Sequence, residues 1–118
     1  MSSAVTQANK FYEEVAKTKV VWFGVLPEEL LLEFDSEGNK VSLPVWSSKS
    51  RIDRLKKLNP DLMHNVEPRS VSWEQFKVHF IPILSPKQKV VGVNLSGKNL
   101  SGIDIPVSLL VKQVEAFW

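Results

Sequence analysis

Residues 40–50 read Lys40-Val41-Ser42-Leu43-Pro44-Val45-Trp46-Ser47-Ser48-Lys49-Ser50 and require a strand to pass directly into a helix. Over the first seven positions Val41, Leu43 and Val45 share one face, while Ser42, Pro44 and Trp46 share the other, because successive side chains of a strand point to opposite sides. Pro44 has no N–H to give a ladder, so the strand carries a bulge or an unpaired side there. Beyond Trp46 the period changes, and a helix is predicted over 49–58. Ser47, Ser48 and Ser50 are rival N-caps, and Ser50-Arg51-Ile52-Asp53 has capping-box spacing. Ile52 and Leu55 face inward. Lys49, Arg51, Arg54, Lys56 and Lys57 face outward with only Asp53 to offset them, making the chain's one basic face.

The flanking segments supply the rest of a sheet and its cover. Residues 6–18 place Ala8, Phe11, Tyr12 and Val15 at helical spacing. Residues 19–25 are β-branched and aromatic on successive positions, as in a strand covered on both faces. Leu26-Pro27-Glu28-Glu29 breaks that strand. A second strand over 30–35 and the turn cluster Asp35-Ser36-Glu37-Gly38-Asn39 then make a hairpin with residues 40–46. Asn59-Pro60-Asp61 ends the basic helix, and residues 65–71, interrupted by Pro68, form a short edge strand. Ser72 and Gln75 make a capping box for a helix that buries Trp73, Phe76 and Phe80 and fails near Pro82.

Ser85-Pro86-Lys87-Gln88 reads as a turn and residues 89–95 as a strand. Then Val93 to Val107 echoes itself in five-residue blocks, Asn94-Leu95-Ser96-Gly97 and Asn99-Leu100-Ser101-Gly102. So few blocks cannot bury a solenoid core, so this stretch is expected to be a glycine-punctuated loop. A last helix starts beside Pro106, with Val107, Leu110, Val111, Val114, Phe117 and Trp118 on one face. The predicted order is α-β-β-β-α-β-α-β-α. It describes a single α+β domain over 1–118: a mixed five-stranded sheet, built as a β-meander and two helical crossovers, with helices packed on it.

At this point the chain resembles a known family. The leading helix, Val21-Trp22-Phe23, Glu37-Gly38-Asn39, Leu43-Pro44-Val45-Trp46-Ser47 and the Trp73-Glu74-Gln75-Phe76 helix are together similar to a small bacterial family of domains of unknown function, family 2750. The strand-to-helix segment is also similar, more faintly, to SseB-like domains, which are linked to secretion and interaction roles. The resemblance implies a bacterial cytoplasmic protein and supplies no catalytic residues.

Composition narrows the chemistry. With no cysteine among 118 residues, a disulfide scaffold, a thiolate zinc site and a cysteine nucleophile are excluded. The N-terminal segment lacks the pattern of a signal peptide, and no apolar run approaches membrane-helix length, which places the expectation in the cytoplasm with no membrane partner. A net charge of +2 does not by itself indicate nucleic acid. His64 and His79 have no second histidine at metal-ligand spacing, and Asp61 with His64 lacks a serine marked as nucleophile. Glu28 with Glu29, and Glu33 with Asp35, are ordinary surface carboxylates. No catalytic residue, metal ligand or cofactor is assigned, and the balance is against an enzyme.

The binding candidates are Trp46, Ser47, Ser48, Arg51 and Arg54. Cations beside a helix N-terminus suit a phosphate or an acidic segment, and arginines beside a tryptophan suit single-stranded nucleic acid. The same residues also fit a solvated helix face over a packed Trp46. Three functions follow in order: a non-catalytic module for an unidentified protein partner, engaged near Trp46 and Arg51 or through a sheet edge; a small-molecule binder or small enzyme with a pocket where the strand meets the basic helix; and a weak nucleic-acid binder through residues 49–57. The aromatic tail leaves a homodimer open.

Overall fold

A computed structural model of the chain describes residues 3–84 and 89–118. Helix α1 (Ala4–Thr18) starts at Ser3, whose hydroxyl accepts from the Thr6 N–H, and it buries the predicted Ala8, Phe11, Tyr12 and Val15. Strand β1 (Val20–Leu26) sends Val21, Phe23 and Val25 to one side of the sheet and Trp22 to the other. The single strand expected over 30–35 is instead two short ones, β2 (Leu30–Leu31) and β3 (Phe34–Asp35). A turn at Glu37–Asn39, with Gly38 at φ 67°, leads into β4 (Val41–Trp46).

The interruption has a geometric cause. β1 and β4 pair directly only at Trp22↔Trp46 and Phe23↔Val45. Beyond that point they part, and the chain between them fills the wedge, β2 on Val25 and Leu26 of β1, β3 on Val41 and Ser42 of β4. Between the two pieces Leu32 donates its N–H to the Gly24 carbonyl at 2.9 Å and buries its side chain. On this edge of β4 no partner falls opposite Leu43 or Pro44, so the strand meets its proline with the unpaired side its sequence requires.

Helix α2 (Lys49–Leu58) has the predicted bounds and buries Ile52 and Leu55. Its N-cap position is Ser48, and the Ser50–Asp53 capping box is not used: the helix already begins at Lys49, and Asp53 pairs with Lys49 at 3.0 Å. Pro60, expected only to end α2, also starts a further short helix, α3 (Pro60–Met63), since a proline at the first helical position gives up no hydrogen bond. Strand β5 (Glu67–Ser72) pairs antiparallel with β1 from Val20↔Ser72 to Val25↔Glu67 and is an edge strand, as expected.

Ser72 accepts from the Gln75 N–H at 3.1 Å and starts α4 (Trp73–Leu84). The helix does not fail before Pro82. The proline ring crowds the carbonyl of Val78, an exposed residue, and buried Leu84 anchors the last turn beyond it. The turn expected over 85–88 lies outside the described residues.

Strand β6 (Val90–Ser96) runs parallel to β4, Ser42↔Val90 to Val45↔Val93. The largest correction comes next. The segment expected to be a loop is a strand, β7 (Ser101–Pro106), antiparallel to β6. Its glycine spacing masked a period of two: Ile103 and Ile105 face the core and Gly102 and Asp104 the opposite side, while Gly97 at φ 79° makes the turn that joins the strands. The sheet therefore has seven strands instead of five, and the α+β class stands.

Helix α5 (Val107–Glu115) follows Pro106 and buries Val107, Leu110 and Val114. Phe117 and Trp118 lie past its end and are exposed, with the Lys19 ammonium 3.2 Å from the Trp118 ring centre. Across the sheet the order is β5, β1, β4, β6, β7, with β2 and β3 in the wedge. Residues of α1, α4 and α5 close one face around Phe11, Leu43, Phe76 and Val91; α2 and α3 bring a smaller cluster to the other around Trp46, Ile52, Leu55 and Met63. Among the described residues no helix is long and apolar enough to cross a membrane.

Candidate functional site

The β4–α2 junction brings together some of the residues its sequence singled out and withdraws others. Trp46 is fully buried, and its indole N–H donates to the Leu95 carbonyl at 2.9 Å. Ser47 is buried as well, and its hydroxyl donates to Glu14 Oε1 at 2.5 Å, while its backbone N–H donates to Asn94 Oδ1 at 3.0 Å. Arg51 does not face outward with the other cations. It turns back to α1, donating to Gln7 Oε1 at 2.8 Å and pairing with Glu14 at 3.2 Å. The Ser48 hydroxyl lies 3.1 Å from that of Ser50, and Arg54 is exposed.

Gln7, Glu14 and Asn94 are the members of this network that sequence reasoning missed. Gln7 and Glu14 sit two turns apart on one face of α1, a spacing that marks polar residues on an otherwise buried stripe. Asn94 lies where β6 bulges, at φ 49°, a conformation that asparagine tolerates better than most residues. Its amide nitrogen donates to the Gln7 carbonyl at 3.2 Å and to the Ser47 hydroxyl at 3.1 Å. Every buried side-chain nitrogen and oxygen among the described residues has a partner. The network therefore clamps α1 and α2 to the carboxyl ends of the parallel strands β4 and β6, and it presents no exposed nucleophile. The crevice beside Arg51 and Arg54 has a volume of about 20 Å³, room for one water.

No catalytic constellation forms elsewhere from the residues the sequence offered. His64 Nδ1 lies 3.3 Å from the Asp61 backbone oxygen, not its carboxylate, and His79 is exposed on α4. Glu29 pairs with Arg69, whose hydrogen bond holds the glutamate carboxyl below its ordinary range, and Glu33 pairs with Lys89 at 2.6 Å. Among the described residues no group of three or more acidic or histidine side chains could hold a metal ion.

An open cleft lies instead on the α2–α3 face, over the end of the sheet those helices leave uncovered. Asp104 of β7 accepts from Ser42 of β4 at 2.6 Å and from Ser36 of the β3–β4 turn at 2.7 Å. Gly92 of the intervening β6 makes this possible: a Cβ there would stand 3.0 Å from Ser42 Oγ and 3.1 Å from Asp104 Oδ1. One cavity beside this carboxylate, about 330 Å³, is walled by Phe34, Leu62, Leu95 and Leu100 with Gly102 and Asp104. A second, about 340 Å³, is walled by Ser36, Glu37, Lys40 and Val90 and shares Gly102 and Asp104. The alternation Ile103-Asp104-Ile105 was the signal for this site, hidden by reading the segment as a loop.

Fold and cleft define a small α+β domain with one open sheet edge and a buried polar clamp. A family profile described as a protein of unknown function, DUF2750, matches residues 8–114, and the chain belongs to that family. No curated protein matches the chain. The fainter similarity to SseB-like domains gains no support from these matches.

Proposed function

We propose that this chain is a non-catalytic protein-interaction module that takes an extended segment of its partner along the outer edge of β7. The observation that carries this reading is the contrast between the two sheet edges. β5 is guarded by Pro68 and by Arg69, which is ion-paired with both Glu29 and Glu67, as natural edges that avoid pairing are. β7 ends the sheet on the other side, and its residues Ser101, Gly102, Asp104 and Pro106 are exposed. No backbone hydrogen bond from another described element reaches its outer side. Such an edge recognises a strand through main-chain hydrogen bonds.

The nucleic-acid reading draws less support, because Arg51 is engaged by Glu14 and Lys49 by Asp53. Selection from a library of random peptides of about eight residues, within ordinary strand length, tests the proposal. Bound peptide is expected to protect β7 backbone amides from hydrogen exchange and to leave β5 unchanged. Failure to recover binders, or binders that leave β7 exchange as in the free protein, overturns it.

A further inference from the structure

We propose that the cleft beside β7 selects an extended peptide carrying an aliphatic residue and, two positions away, a lysine or arginine. This rests on the edge-binding reading above and adds its side-chain specificity. Gly102 and Asp104 are two residues apart on β7 and point to the same face, so they are separated by about 6.8 Å along the strand. A strand added beside β7 would place its own alternate side chains at that same spacing, about 5 Å away. Both cavities reach β7, since each is lined by Gly102 and Asp104.

Gly102 lets the Leu95 side chain lie directly against β7, since a Cβ there would meet Leu95 Cδ2 at 2.2 Å, and Leu95 thereby becomes part of the wall of the first cavity. The chemistry of the cavities differs. The first offers Phe34, Leu62, Leu95 and Leu100, an apolar seat for an aliphatic side chain. The second is lined by two acidic residues, Asp104 and Glu37, and one cation, Lys40, which makes no ion pair among the described residues. Asp104 accepts one serine hydroxyl at each oxygen, and a carboxylate oxygen has a further lone pair for an ammonium or guanidinium donor. Charge therefore favours a basic side chain in the second seat and disfavours an acidic one.

The same peptide selection, now read by sequence, tests this. Recovered peptides should be enriched in an aliphatic residue and a Lys or Arg two positions apart. Asp104→Asn, which keeps a side chain able to bond both serines, should weaken a selected peptide roughly two- to fivefold and abolish the basic preference. Leu62→Gln, at a position already 52% exposed, should instead abolish the aliphatic preference and leave the basic one. Peptides that protect β7 amides without this pattern, or whose pattern survives both substitutions, overturn the inference while leaving edge binding in place. Absence of any β7-protecting peptide overturns both.

Discussion

The two faces of the sheet are built to different standards. On one, α1, α4 and α5 enclose a cluster in which Trp73, Phe76 and Phe80 stack in series and Phe23 meets Phe80 edge-on. On the other, α2 and α3 cover the part of the sheet near Trp46, and the part near β7 is floored by Ser42, Gly92, Gly102 and Asp104. The first face is a continuous apolar layer, and the cavity on that side, about 470 Å³, lies along α5 at Ser108, Leu109, Val111, Lys112 and Glu115. The second gives up apolar cover at one end, and there the sheet offers a carboxylate, two cavities and a free edge. On the reading proposed above, stability and recognition are separated by face, and within the second face by distance from Trp46.

Substitution of a fully buried ring on each side is the severest test of that division. Phe76→Ala and Trp46→Ala should each cost about 3–5 kcal/mol, read as a shift in the urea midpoint at constant slope. Trp46→Ala should lie at the upper end, because it also leaves the Leu95 carbonyl without its donor in a buried setting. Against a total of about 5–15 kcal/mol for a domain of ordinary stability, either change removes a large share of what holds the protein folded. A nearly neutral Trp46→Ala would mean that the second face contributes no core, and the contrast would collapse.

The joint between the layers is the next largest effect. Asn94 holds Ser47 and the Gln7 carbonyl together, so Asn94→Ala should cost about 2–4 kcal/mol, from buried groups left unpaired and from the strain of alanine at φ 49°. Asn94→Gly loses the same hydrogen bonds but not the backbone fit, and should be milder by about 1 kcal/mol. Equal losses would show that the bulge carries no strain. A loss below about 0.5 kcal/mol for both would show that the two layers do not depend on this clamp.

Much of this architecture was legible because its signals are local. The Ser72 N-cap, which forms without the reciprocal Gln75 side-chain bond of a full box, the break at Asn59-Pro60 and the facing of Leu43 and Val45 against Trp46 each depend on neighbours within a turn or a strand. What was missed depends on distant partners. Arg51 looked outward from its helix period, and only the approach of α1 turns it toward Glu14. β7 was hidden because Gly97 and Gly102 suggest a loop and outweigh the short alternation at Ile103-Asp104-Ile105, and its pairing with β6 is what makes the strand evident. Asp104 gains its role from Ser36 and Ser42, more than 60 positions earlier.

A small effect on the apolar face sharpens the contrast from the other side. There the polar groups stay at the rim: Glu115, partly exposed, accepts from Lys77 at 2.7 Å and from the Trp73 indole at 2.9 Å. The Lys77 hydrogen bond first, then that of Trp73, holds the Glu115 carboxyl below its ordinary value of 4.5. A carboxyl whose value is lowered on folding stabilises the native state above the unfolded value and loses that stabilisation as pH falls through the folded one. Wild type should therefore exceed Glu115→Gln in stability by about 0.2–1 kcal/mol at neutral pH, the size expected of a solvent-screened pair. The gap should close as pH is lowered below about 4.5 and shrink with added salt. A gap independent of pH would assign the loss to packing at the rim, and the apolar face would then hold no electrostatic contact that matters to its stability.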